Sequence, residues 1–142
     1  MLVKEKIGTE IILDVLNATT TGKGGMFTVK STKTGKEYTY KINKSLYKSK
    51  WYAHVFVETG YLDFLYLGYY SNGQLIKKGE VCVFPSAIAI AYIFSCLEKG
   101  FITYINERTE VFHLGRCVKC NRPLTDSNSI KTGLGPYCRS IV

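Results

Sequence analysis

Two hydrophobic periods divide this chain. Between Met26 and Phe84, apolar and aromatic residues alternate with polar ones or gather in β-branched and aromatic runs, as strands do. Residues 26–31 and 37–42 predict a hairpin closed by residues 32–36, with Gly35 in the turn. Residues 51–57 and 61–70 predict two more strands, with a turn at Thr59 and Gly60 between them and another at Ser71, Asn72 and Gly73 after them. Residues 81–84 predict a short fifth, and residues 43–50 read as a polar connection. A helical period flanks this region. Ile11, Ile12, Val15 and Leu16 make one face of a short helix over residues 8–17, with Thr9 as N-cap and Glu10 at the positive end of the helix dipole. Residues 85–100 are apolar nearly all round, start at Pro85 or Ser86 and stop at Gly100 with Lys99 beside it, which predicts a helix buried against the sheet. Residues 101–105 and 110–113 predict a last strand pair. The sum is an α+β fold: an antiparallel β-sheet packed on a central apolar helix, with a short N-terminal helix and a C-terminal zinc-knuckle module. The expected division is a core domain over residues 1–110 and a zinc-binding module over 111–142.

The module is expected because three of the five cysteines and one of the two histidines fall after residue 112. Cys117 and Cys120 have the C-x-x-C spacing that turns two thiolates toward one metal ion. Zinc takes four soft or borderline ligands in a tetrahedron, and the set on offer is His113, Cys117, Cys120 and Cys138. The same spacing also serves thiol redox chemistry, in a βαβ context with the motif opening a helix. Here it is followed by Asn-Arg-Pro-Leu-Thr and a glycine-rich return to Cys138. His113 sits four residues before the knuckle, at the end of the strand-like Val111 and Phe112. Asp126 or water are the alternatives at the fourth position, since carboxylate oxygen also binds zinc. On this reading, replacing Cys117, Cys120 or Cys138 by Ser releases the metal and disorders the tail while the sheet stays folded. Cys82 and Cys96 lie in apolar surroundings and read as buried thiols. An odd cysteine count with knuckle spacing indicates a reducing compartment.

The tail resembles a recurrent C-terminal segment of phage and prophage proteins of unknown function. The residues that carry the resemblance are His113, Gly115, Arg116, Cys117, Cys120, Arg122, Leu124, Thr125, Ser129, Gly133, Gly135, Pro136 and Cys138, at the family's spacing. Asn121 stands where that family usually has Gly, and Asn is the next most tolerant of a left-handed backbone. A looser similarity extends to Phe27-Thr-Val-Lys-Ser, to residues 34–41 and to Tyr66-Leu-Gly68. The resemblance implies a zinc-bound fold and a mobile-element origin, and it implies no activity.

Charge narrows the partners. The chain has 142 residues and a net charge of +8 at pH 7, which favours nucleic acid, an acidic protein surface or an anionic membrane face. The longest apolar stretch, residues 87–97, is too short to span a bilayer and no leader-like run is present, so a cytoplasmic protein without a membrane partner is expected, in the host cytoplasm if phage-encoded. Between residues 23 and 50 there are eight lysines and one acid, Glu37, with Phe27, Tyr38, Tyr40 and Tyr47 among them. Lysines neutralise phosphates and aromatics on a sheet stack bases. The expected contact residues are Lys30, Lys33, Lys36, Lys41, Lys44, Lys48 and Lys50, with Arg116 and Arg122 of the module. A half-buried strand gives the same mixture with no partner, aromatics inward and lysines outward. No catalytic constellation is found. A zinc deaminase needs a His-x-Glu beside its cysteines, and the chain has no Glu after Glu110. His54 and Asp63 stand alone, and the glycines at 22, 24 and 25 lack the P-loop continuation. The expectation is a non-enzymatic, zinc-stabilised basic binding protein of phage or mobile-element origin that contacts nucleic acid. The alternative is an effector that binds and inhibits a host protein or nucleoprotein complex, such as a defence system, in the manner of an anti-CRISPR.

Overall fold

The computed structural model describes residues 5–18, 25–60, 63–135 and 138. The fold is α+β and mostly antiparallel sheet. Its elements run β1 (Glu5–Ile7), α1 (Ile11–Leu16), β2 (Met26–Ser31), β3 (Glu37–Tyr47), β4 (Lys50–Gly60), β5 (Asp63–Ser71), β6 (Gln74–Lys77), β7 (Glu80–Val81), α2 (Pro85–Glu98), α3 (Ile102–Asn106), β8 (Thr109–His113) and α4 (Ser127–Thr132). One sheet holds all eight strands in the order β1-β8-β2-β3-β4-β5-β6-β7. Strands β2 to β7 form a meander. Helices α2 and α3 then return the chain, so that β8 pairs with β2 and β1 pairs with the far side of β8.

Three hairpin turns share one geometry. Lys48 and Ser49 (φ 49° and 64°), Asn72 and Gly73 (47° and 80°), and Lys78 and Gly79 (52° and 77°) are two-residue turns with both φ positive. That is the turn whose twist matches the strands it joins. The first of these carries β3 and β4 through residues 43–50, where a connection was expected. Polarity conceals the strand there, because that end of the sheet outruns the helices and neither face is fully covered.

One face of the sheet is buried under helices. Phe27, Tyr40, Ile42, Val55, Leu67, Leu75 and Val111 meet Ile12 of α1 and Ile90, Phe94 and Leu97 of α2 in one buried cluster. Tyr40 donates a 2.6 Å hydrogen bond from its hydroxyl to the Ser86 carbonyl, and the Tyr70 and Phe94 rings meet edge-on at 5.1 Å.

Several expectations are corrected. Helix α1 starts at Ile11 behind a tight turn, so Glu10 and not Thr9 is the N-cap residue. Residues 102–106 are helix, not strand: Ile102 and Ile105, three apart, both turn inward, whereas Phe101 and Tyr104 are exposed. Strands β1 and β6 and helix α4 were not anticipated. The expected boundary between residues 110 and 111 falls inside β8, a strand flanked by neighbours on both sides. Cys117, Val118, Leu124 and Leu134 belong to the same buried cluster as the sheet. Gly25 abuts this region so closely that a Cβ there would lie 2.1 Å from the Cys117 carbonyl oxygen. The rest of the glycine loop expected at residues 19–25 lies outside the described residues.

Candidate functional site

Backbone hydrogen bonds build the knuckle before any metal is considered. The Cys117 amide donates to the Arg122 carbonyl and the Asn121 amide to the Cys117 carbonyl, each at 2.8 Å, closing a tight loop. Asn121 takes φ 68°, the left-handed conformation that its position in the motif requires. After the loop, Asp126 caps α4 and Gly133 ends it at φ 78°. The Val118 amide donates to the Gly133 carbonyl at 3.0 Å, which ties the end of α4 to the knuckle. The Sγ atoms of Cys117, Cys120 and Cys138 consequently lie within 4.8 Å of one another. Zinc–sulfur bonds of about 2.3 Å in a tetrahedron separate sulfurs by about 3.8 Å, so these cysteines need only a small contraction to hold a zinc-sized ion.

The thiols are unequal. Burial raises the Cys117 thiol, but the amides of Gly135, Cys120 and Lys119 point at its sulfur and bring it below the usual range. Cys138 is pushed up to about 12 by burial, by its hydrogen bonds to Cys120 and Cys117 and by their charge. A cation among the three removes that mutual repulsion, and amide donors to a ligating sulfur support the thiolate.

His113 does not join them, contrary to the four-ligand expectation. It is fully buried at the end of β8. Its Nδ1 accepts from the Gly115 amide at 3.0 Å, and its Nε2–H donates to the Ile130 carbonyl at 2.5 Å. With both ring nitrogens engaged, His113 is a strut between β8 and α4. Asp126, the alternative, is also occupied: its carboxylate accepts from the Ser129 amide at 3.1 Å and the Ser129 hydroxyl at 2.5 Å. Among the described residues the cluster therefore has three ligands.

The basic residues do not form one patch. Lys30 and Lys41 project from the sheet face away from the helices, since they alternate with the buried Val29, Tyr40 and Ile42. Lys33 and Lys36 sit in the β2–β3 turn, Lys48 in the β3–β4 turn, and Lys50 opens β4. Lys44 points the other way, and its Nζ donates to the Leu16 carbonyl at the end of α1. Arg116 and Arg122 are exposed at the knuckle, where Arg116 donates to the Asn121 carbonyl at 3.1 Å. Acids offset part of the charge: Lys6 pairs with Glu110 at 3.3 Å, and Glu37 lies opposite Lys30.

The outward face holds a feature that the sequence reading missed. Tyr52, His54 and Phe56 of β4 share it with Phe64, Tyr66 and Tyr69 of β5, and none of these joins the buried cluster. Tyr52 and Tyr69 meet edge-on at 5.4 Å, and Phe56 and Tyr66 lie 5.1 Å apart. Lys41 Nζ stands 5.5 Å over Phe64 and Lys50 Nζ 5.4 Å over Tyr52. His54 is not alone: Ser45 Oγ lies 2.7 Å from its Nε2 and Tyr66 Oη 2.9 Å from its Nδ1. Burial and the Lys44 charge hold its pKa below the ordinary histidine value. Alternation within the tyrosine-rich stretch from residue 61 to 70 was the available signal, but a bulge opposite Val55 and Phe56 shifts its phase.

Residues 107–142 match DUF6011, a family of unknown function. The matched segment opens just before β8, so it includes the strand that enters the sheet as well as the three cysteines. Neither a curated protein nor a solved structure matches the chain. No helix among the described residues is long and apolar enough to cross a membrane.

Proposed function

We propose that this chain is a non-enzymatic, zinc-stabilised binding protein that takes single-stranded nucleic acid on its outward sheet face. The observation that carries the reading is the coincidence on one face of six aromatic rings, counting His54, with lysines laid over two of them. These rings are half-buried, and the ring surface they leave open on the sheet offers stacking to any base, worth about 1–3 kcal/mol each, while lysine-tipped turns track phosphates. The net charge of +8 acts in the same direction. Zinc is the metal proposed for Cys117, Cys120 and Cys138, because three thiolates suit it and its role here is to close the tail. The phage setting and a place in the host cytoplasm rest on the resemblance of the tail alone.

Fluorescence anisotropy with a labelled single-stranded oligonucleotide tests this. Binding is expected to weaken steeply between about 50 and 200 mM salt. Tyr52→Ala and Tyr69→Ala are each expected to weaken it by about fivefold or more, from the loss of one stacked base. Equal binding by the variants, or no binding at low salt, refutes the assignment. A second reading has its own support. Val83, Phe84, Ile88, Tyr92, Phe101 and Tyr104 are exposed on and around α2, which favours a protein partner for an inhibitory effector. Recovery of one nuclease-resistant protein complex from host lysate, with no bound nucleic acid, selects it.

A further inference from the structure

Strands β3 and β4 outrun the helices that pack on them. Each strand has 11 residues, whereas α1 has 6 and α2 ends at Glu98. Beyond the helix ends the helix-facing side of the sheet is open, and a cavity of about 330 Å³ forms there, with Lys44, Trp51, Ala53, Tyr70 and Glu98 in its walls. The register explains this grouping. Lys44 pairs with Ala53 and Leu46 with Trp51, so Lys44 and Trp51 project to the same side. Hydrogen bonds hold the polar groups in place. Lys44 Nζ donates to the Leu16 carbonyl, and Glu98 Oε1 accepts from the Tyr70 hydroxyl at 2.6 Å. An ammonium has three donors and a carboxylate about four acceptor sites, so both retain capacity toward the cavity.

The chemistry of the walls selects a ligand class. Lys44 and Lys50 both line the cavity beside the Glu98 carboxylate, the Lys50 ammonium being engaged over the Tyr52 ring at 5.4 Å, and the cavity adjoins the carbonyl ends of two helices. The indole of Trp51 suits a flat ring. A donor and an acceptor lining one cavity suit a ring edge that presents a carbonyl beside N–H groups. The volume lies at the small end of ligand sites and accommodates a base with its sugar. We propose that this cavity binds a nucleobase of the guanine type, its ring against Trp51, its carbonyl oxygen on Lys44 and its adjacent N–H groups on Glu98. Burial holds the Lys44 pKa below the usual lysine range, as for an ammonium with little water around it. The site lies on the side of the sheet opposite Tyr52 and Tyr69 and meets that face at Lys50, so Lys44 and Glu98 report on it apart from strand binding there.

Trp51 is the only tryptophan of the chain, and its fluorescence therefore reports on this cavity. Titration of the zinc-loaded protein with guanosine is expected to give saturable quenching, with adenosine and cytidine at least fivefold weaker. Glu98→Gln and Lys44→Met are each expected to weaken guanosine by about tenfold, the usual loss for a hydrogen bond to a charged group. Glu98 is exposed, so its variant keeps the test open if Lys44→Met fails to fold. Both variants are expected to retain oligonucleotide binding on the outward face. Absence of quenching, equal quenching by all three nucleosides, or undiminished quenching in Glu98→Gln overturns the proposal.

Discussion

His113 shows how one residue can satisfy a motif and still serve a different purpose. Its spacing before Cys117 is that of a ligand, yet its ring nitrogens are engaged by Gly115 and Ile130 inside the protein. Sequence spacing cannot register such competition, because the competing partners are backbone groups that only the fold supplies. His113→Gln is therefore expected to cost about 1–3 kcal/mol from poorly satisfied buried groups while the protein still binds one equivalent of zinc. Cys117→Ser is expected to lose the metal. Thermal melts combined with elemental analysis separate the two, and loss of zinc from His113→Gln returns the histidine to the ligand set. His54 supports a pH prediction. Its folded pKa is depressed below the ordinary 6.5 by burial and by Lys44. Below that value the unfolded chain binds a proton that the folded chain resists, so stability falls as pH drops through about 6.5 toward the folded pKa. The Tm difference between wild type and His54→Gln should shift in favour of the variant from pH 7.5 to pH 5.5. An unchanged difference shows that His54 is not desolvated.

At the scale of elements, much of the fold was legible, and the failures have physical causes. The β2–β3 hairpin carries an alternating pattern and helix α2 a long apolar run, each bounded by turn residues, and both appear close to where the sequence places them. The end of β3 was missed because helices no longer cover it and its residues need not be apolar. Helix α3 was missed because Ile, Thr and Tyr favour strands intrinsically, and packing of Ile102 and Ile105 overrides that preference. Helix α4 has its end signals in Asp126 and Gly133, but its six residues hold one apolar side chain, Ile130, and so show no helical period. The β3–β4 turn places two non-glycine residues at positive φ, which most side chains resist. Lys48→Asn with Ser49→Gly suits that turn and is expected to stabilise by about 1 kcal/mol, or about 2–4 °C in Tm. A lower Tm shows that the turn has another geometry.

At the scale of the whole molecule, the tail is joined to the sheet more closely than the sequence suggests. Strand β8 lies between β1 and β2, and Cys117 and Val118 belong to the common buried cluster. Tail disorder with an intact sheet was the sequence-based outcome of losing the metal. The structure changes it: chelation is expected to lower the Tm of one cooperative transition, with near-ultraviolet signals of the sheet aromatics lost together with the tail. Two separated transitions show that the tail unfolds independently. The three-cysteine cluster packs into the common core, and the outward face is where single-strand binding is proposed. The most direct measurement is an amide NMR spectrum of the zinc-loaded protein titrated with a single-stranded oligonucleotide. Shifts are expected to concentrate on Lys41, Tyr52, His54, Phe56, Tyr66 and Tyr69. Shifts confined to Arg116, Arg122 and their neighbours, or none at saturating oligonucleotide, contradict single-strand binding on this face.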